Sequence, residues 1–374
     1  MVPRSLSLEH RDDEHGHHGA ESSGDRAHLE SRRVRGRDDR RRVLLQGDLG
    51  SLASRGLLLV AVSLLAACAT ARREATPRAE HELPPGAEAW SLSGEPLFPS
   101  ALDAATKADR EARLAEATSR LEAEPDNPEA YVWAGRRAAY LGRYRDAIAL
   151  FTAGIAKFPN EPELRRHRGH RYVSVRRLDV AIADLETAAR LIAGTPDEVE
   201  PDGLPNERNV PTSTLHSNVW YHLGLARYLT ADFEAALAAY RKGLDVSKNP
   251  DMLVATSHWL YMTLRRLGRE AEAAAVLEPI REGMDVIENR DYHRLLLMYR
   301  GDLSPESLLA DAADSGNAIG FATVGYGVGN WHLSNGRRAE AVELFRRVIA
   351  GGTWASFGYI AAEAELARMG VAPR

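Results

Sequence analysis

The stretch PEAYVWAGRRAAYLGRYRDAIALFTAGIAKFPNE, Pro128–Glu161, decides the fold. Tyr131, Ala134, Phe151 and Ile155 recur at helical spacing, as the shared apolar face of two consecutive helices does. Gly142 lets the chain leave the first helix, and Pro159 cannot continue the second. Gly135 and Ala147 are small, so the two helices can approach closely. The pattern then returns: Gly135 and Gly169 lie 34 residues apart, as do Ala147 and Ala181, and Gly154 and Ala188. A period of 34 residues with helical hydrophobic spacing predicts stacked helix pairs, each completing its core only against its neighbours.

Working outward, residues 162–195 keep Gly169, Tyr172, Leu178, Ala181, Leu185 and Ala188, with Arg165 at an aromatic position. A third copy at about 217–250 has Trp220, Leu223, Gly224, Phe233, Ala236, Tyr240 and Gly243. A fourth, about 254–287, keeps Leu260, Gly268, Ala273 and Leu277 but carries Tyr261 where glycine is expected. A fifth, about 322–355, keeps Val328, Gly329, Gly336, Ala341, Phe345 and Val348. Leu114, Leu121 and Pro125 fit the second helix of a leading repeat, and residues 356–369 read as a closing helix. Two stretches break the register. Residues 192–216, with Asp197, Glu198, Glu200 and Asp202, read as an inserted loop that either carries binding or is merely tolerated; residues 289–316 read as two short helices, around 292–299 and 305–313. The residues Tyr131, Ala134, Gly135, Ala138, Gly142, Tyr144, Ala147, Phe151, Gly154 and Pro159 resemble the tetratricopeptide repeat (TPR). The resemblance covers residues from about 100 to 369 and implies an all-α, right-handed solenoid of TPR-like pairs with a C-terminal capping helix. It also implies a protein-interaction scaffold that is not an enzyme.

The composition, 44% hydrophobic and 27% charged in 374 residues, suits a soluble helical body. Four lysines stand against 44 arginines, which reads as codon bias in a GC-rich genome rather than phosphate recognition. A net charge of −5 leaves no basic excess for nucleic acid. The only cysteine, Cys68, follows the apolar run Gly56–Ala67, too short to span a bilayer but suited to a signal peptide (residues 55–67). Leu65-Ala66-Ala67-Cys68 resembles the lipobox of bacterial lipoproteins, which implies lipidation at Cys68 and a membrane anchor. In such families an Asp after the cysteine favours inner-membrane retention, and Ala69 stands there. The implied address is the bacterial cell envelope, at the outer membrane facing the periplasm. Residues 1–54, polar and aperiodic, read as disordered or as translated upstream sequence, and residues 68–99, rich in proline, as a flexible tether.

Phosphate-loop, H-E-x-x-H, G-x-S-x-G and C-x-x-C patterns are absent from the sequence, so no catalytic residue, metal or cofactor is expected. Gly325-Tyr326-Gly327-Val328-Gly329 looks like a dinucleotide loop but follows no strand, so its glycines read as helix-packing positions. The resemblance places the first helices of the repeats along a concave groove. In the first repeat this gives Val132, Trp133 and Arg136; in the second, Arg166, His167 and His170. The third gives Tyr221, His222 and Tyr228, the fourth His258 and Trp259, the fifth Tyr326 and Asn330. Arg and aromatic residues anchor interfaces, so this lining suits a peptide with acidic and apolar side chains. Two other readings stay open: ligand, metal or enzymatic chemistry in the His/Arg groove, where His167, His170 and His222 share a level, and a structural subunit assembled by stacking.

Overall fold

The structure is a computed structural model, and it describes residues 82–373. The lipobox with Cys68, the signal stretch, the upstream segment and the tether as far as residue 81 lie outside the described residues. The described chain opens with a small hairpin, β1 (Ala89–Trp90) and β2 (Pro96–Leu97), paired antiparallel with Ala89 opposite Leu97. Helices follow: α1 (Ala104–Ala123), then the pairs α2 (Pro128–Tyr140) with α3 (Tyr144–Lys157) and α4 (Pro162–Ser174) with α5 (Leu178–Leu191). After the insertion come α6 (Leu215–Leu229) with α7 (Phe233–Asp245) and α8 (Pro250–Arg266) with α9 (Glu270–Leu277). The irregular segment forms α10 (Arg290–Arg300) and α11 (Pro305–Asp314), and α12 (Ala318–Ser334), α13 (Arg338–Ala350) and α14 (Phe357–Met369) complete the chain. Each first helix packs on its own second helix and on the next first helix, α2 on α4, α4 on α6 and α6 on α8. The first helices therefore form the inner layer of an all-α TPR-like solenoid.

Local chemistry sets these elements. Pro128, Pro162, Pro250 and Pro305 each open a helix, where the missing N–H is not needed. Asn127, Asn249 and Ser304 cap those starts through their side chains. Within the pairs a glycine of the first helix faces a large residue sixteen positions on: Gly135 meets Phe151, Gly169 meets Leu185, Gly224 meets Tyr240 and Gly329 meets Phe345. A Cβ at any of these glycines would fall within 3.0 Å of the facing side chain. In the fourth pair Tyr261 takes the glycine position, and its second helix, α9, is only 8 residues long. Gly325 and Gly327 do the same work on two other sides of α12, against Val348 and Leu295.

The turns between paired helices share one geometry, a single left-handed residue, at Gly142, Gly268 and Gly336. Arg176 (φ 63°) and Ala231 (φ 62°) occupy the same position without glycine's freedom. Arg176 is held there by the C-terminal helix and the turn before it: its guanidinium lies 2.8 Å from Glu363 and donates at 2.8 Å to the Trp354 carbonyl.

Helix α14 packs on α12 and α13, as a closing helix would, but it also runs along the inner layer. Nine successive residues, Gly358–Leu366, are buried, so the helix is enclosed on every side. Gly358 lies against the Ala322 carbonyl, with no room for a side chain. Glu365 pairs with Arg266 of α8 and Arg368 of its own helix, and Arg368 donates to the Leu229 carbonyl at the end of α6.

The tether expectation fails from Glu82 onward. Ala87, Ala89 and Leu97 are buried, and the Leu92 N–H donates to Glu363 at 2.7 Å. The Trp354 indole donates to the Phe98 carbonyl at 2.6 Å, and Glu88 accepts from the Arg145 N–H at 2.8 Å. Of the described prolines, Pro96 opens β2 and Pro84, Pro85 and Pro99 flank a hairpin too brief for a two-residue period to register in the sequence.

A divided inner face and its arginine-lined cleft

The inner layer falls into two parts. At the α6–α8–α12 end the sequence-predicted groove residues are sealed inside. Tyr228, His258, Trp259, Tyr326 and Asn330 are each at most 1% exposed. The Tyr326 hydroxyl donates to Tyr228 at 2.9 Å, and Asn330 donates to Tyr228 at 2.7 Å. Trp259 packs on Tyr228 and Tyr326 with ring centroids 5.3 and 5.8 Å away, while His258 stacks on Tyr292 at 4.6 Å. Burial alone pushes the His258 imidazole down to about 3, so it is neutral. These side chains belong to a core and offer no open surface; the sequence reading of them as groove lining is corrected by the closeness of α12 and α14 to α6 and α8.

The α2–α4–α6 end is roofed by the inserted loop. Val199 bridges Thr214 across the loop, and Asp197 accepts from the Thr214 hydroxyl and the His216 N–H, anchoring the loop to the start of α6. This turns Glu200 inward. Its carboxylate lies 3.2 Å from Arg166 and 3.2 Å from His167 Nε2, and accepts from Asn218 at 2.9 Å. Arg136 donates to the Pro201 carbonyl and Arg137 to the Gly203 carbonyl, each at 2.8 Å. Burial acts to raise the Glu200 carboxyl, but Arg166, His167 and Arg136 together overcome it and hold the group well below the usual carboxylate range. Trp133, half-buried, lies under two guanidinium groups, Arg136 at 4.5 Å and Arg137 at 4.9 Å from its centroid.

Two adjoining cavities remain between the loop and the helices. The first, of about 250 Å³, is lined by Arg136, Tyr140, Arg166, His167, His170 and Arg171, with Glu200 and Asp202 from the loop. The second, of about 310 Å³, shares Arg166, His170, Ser213 and Glu288 with it and continues past Tyr221, His222, Met252, Tyr292 and Phe357. His170 and His222 meet at 4.4 Å, and Phe357 of α14 lies 5.2 Å from His170 and 5.7 Å from His222. Burial, reinforced by Arg171 and Arg166, pushes His170 well below the usual imidazole range; burial and Arg166 do the same to His222. Both rings are neutral near pH 7. The cleft thus has an arginine-rich end and an aromatic end.

Of the sequence-predicted residues, the structure gathers Arg136, Arg166, His167, His170, Tyr221 and His222 at this cleft, with Trp133 beside it. Glu200, Arg171, Tyr292 and Phe357 were not among them. Arg171 was legible only as one of four arginines on α4; two of the others, Arg165 and Arg168, instead pair outward with Asp184.

Glu163, His167 and Glu200 offer three ligand atoms within 4.8 Å of one another, a spacing that invites a metal reading. The hydrogen bonds do not fit one. Arg166 can only donate, and it reaches His167 Nδ1 at 2.8 Å, so the imidazole keeps its proton on Nε2, the atom a metal would need. Glu200 is already paired with Arg166.

Residues 217–250 match the tetratricopeptide repeat. This is the α6–α7 pair, beside the cleft. No curated protein matches the chain in sequence. Among solved structures the chain is similar to a tetratricopeptide repeat protein from Parabacteroides merdae, at 16% identity and a TM-score of 0.40, covering 70% of this chain and 95% of that one. It is also similar to YrrB, described as a TPR protein with an unusual peptide-binding site, at 14% identity and a TM-score of 0.36, covering 63% and 91%. The MamA protein aligns at 16% identity and a TM-score of 0.36, covering 54% and 89%.

Proposed function

We propose that this chain is a non-enzymatic, lipid-anchored scaffold of the bacterial envelope that receives a segment of a partner protein in the cleft beneath the 192–216 loop. The observation that carries the reading is the division of the inner face. One end is filled by the chain's own α14, and the other keeps two adjoining cavities of about 250 and 310 Å³, arginine-rich and then aromatic. An extended segment with an acidic group near an apolar side chain matches that order. Leu65-Ala66-Ala67-Cys68 supports the anchor, with the outer membrane, facing the periplasm, as its address.

Crosslinking pull-down from intact cells tests the site. Partners recovered with wild type are expected to be lost with Tyr221→Ala/Tyr292→Ala; recovery of the same partners by both proteins moves the site off the cleft. Cys68→Ala or globomycin is expected to block processing and release from the membrane fraction, and unchanged processing overturns the anchor.

A further inference from the structure

We infer that the arginine-rich cavity is built for a dianionic phosphoryl group, carried by whatever enters the cleft; this rests on the reading of the cleft as the binding surface and names the chemistry of one end of it.

The first argument is unpaired donors. Arg136 and Arg166 are 8% and 7% exposed, and both line the cavity. Arg136 Nη1 and Arg166 Nε have no hydrogen-bond partner. Buried donors left unpaired are costly, and their presence in a cavity wall marks a place where an acceptor belongs. Arg171, on the same wall, touches the Tyr144 ring at 5.2 Å. Burial pushes its guanidinium down to about 10, and the groups that act on it next are Tyr144, Arg166, Tyr140 and Arg136, none of them a carboxylate.

The second argument is charge. Three guanidinium groups line the cavity, and guanidinium stays charged in proteins. Glu200 offsets one of them through Arg166. His170 and His222 are neutral. Neither of the other two acids on the lining forms an ion pair with a guanidinium group of the cavity. Burial and Glu288 push the Asp202 carboxyl up, while Arg136 pulls it down. Glu288 is exposed and already accepts from the Thr212 hydroxyl at 2.6 Å and from Asn206 at 2.8 Å. Arg136 and Arg171 are thus left without a paired carboxylate. A carboxylate supplies one negative charge; a phosphate monoester supplies nearly two, with three acceptor oxygens for the free N–H groups of guanidinium forks. The rest of the ligand then continues towards Tyr221, Tyr292 and Phe357.

Calorimetric titration of the full chain with inorganic phosphate, with a glutamate-rich peptide as a second arm, tests this. Saturable binding of phosphate is expected, with a rise in melting temperature. Arg171→Gln is expected to weaken phosphate binding by about tenfold or more, as loss of a charge-assisted contact does, while leaving the unliganded protein as stable as wild type or more so, because a half-buried charge with no paired carboxylate is gone. A merely structural Arg171 would lower stability instead. If Arg171→Gln does not fold, Arg171→Lys replaces it, and the wild-type titration stands by itself. Absence of saturable binding up to tens of millimolar phosphate overturns the inference, as does unchanged binding by the variant. Peptide binding without phosphate binding also overturns it, yet leaves the cleft as the partner site; loss of neither pull-down partners nor phosphate binding in Tyr221→Ala/Tyr292→Ala overturns the cleft reading alone.

Discussion

The two ends of the inner layer begin from the same structural position and finish differently. At the α6–α8–α12 end, aromatic side chains and α14 close into a core in which Tyr228, Trp259 and Tyr326 touch one another. At the α2–α4 end, arginines and histidines stand in the equivalent places, and the inserted loop roofs them without filling the space. The lesson is that the concave side of a helix-pair solenoid is a surface only where the chain lacks material to cover it. Aromatic rings can be packed against an Ala-rich helix and sealed. Guanidinium groups cannot be sealed without carboxylates, and the loop brings too few to pair them all.

The strongest test of the sealed end is Glu363→Ala. It removes the partner of Arg176, whose side chain is 3% exposed, and takes away the acceptor for the Leu92 N–H. Breaking a buried pair from one side costs about 3–5 kcal/mol. Chemical denaturation is expected to show that loss, and a change below about 1 kcal/mol would mean that α14 is not latched by this pair. Adding Arg176→Gly to Glu363→Ala should recover part of the loss. It removes the stranded charge and relaxes a left-handed residue, worth about 1–2 kcal/mol.

Acid acts on the sealed end next, as it does on His170 and His222 in the cleft. In the unfolded chain histidine titrates near 6.5, whereas in the folded state His258, stacked between Tyr292 and Tyr299, is pushed by burial to about 3. As pH falls below 6.5 the unfolded state takes up a proton that the folded state refuses. This contribution is therefore whole above that pH and is lost towards about pH 3, by about 3 kcal/mol at pH 4. His258→Gln is expected to flatten the pH dependence of the denaturation midpoint over that range; an unaltered slope would place the sensitivity elsewhere. A smaller effect is expected from Gly224→Ala, which forces a Cβ into the Tyr240 ring and, as overpacking does, costs about 1–3 kcal/mol by the same denaturation assay. If it were neutral, the close approach of α6 and α7 would not depend on glycine.

Much of this fold can be read from the chain because its rules are local. The glycine and its large partner sixteen residues on, and the left-handed turn residue, belong to one pair and recur with it. The irregular segment resolves into two helices close to the expected places, α10 at Arg290–Arg300 and α11 at Pro305–Asp314. What resists reading is long-range. Helix α14 carries Glu363 and Glu365 in an otherwise Ala-rich sequence, which reads as one face of an exposed cap. Their partners, Arg176 and Arg266, lie 187 and 99 residues earlier. Helical periodicity assigns side chains to faces but cannot say that both faces will be covered. The cleft is similar: its arginines and histidines are visible, yet only the path of the loop turns Glu200 rather than Glu198 onto Arg166. The departure at Arg176, a charged residue where three of the other four turns use glycine and one uses alanine, is a local sign that a distant partner holds it.

The smallest expected effect on stability bears most directly on the open end. Trp133 is half-buried, its indole donates to Glu129 at 3.1 Å, and its ring lies beneath Arg136 and Arg137. Cation–π contacts at such partly exposed sites contribute about 0.5–1 kcal/mol each. Trp133→Ala is therefore expected to lower stability by about 1–2 kcal/mol, well short of Glu363→Ala at the sealed end. Its larger consequence is positional. Without the ring, Arg136 and Arg137 lose the surface that orients them towards Pro201 and Gly203, so the loop carrying Glu200 loosens. Hydrogen exchange should then rise in residues 196–214 and stay unchanged in α14. Equal protection in both proteins would mean that the loop is held by Asp197 and Glu200 alone, and that the tryptophan is free to face a partner.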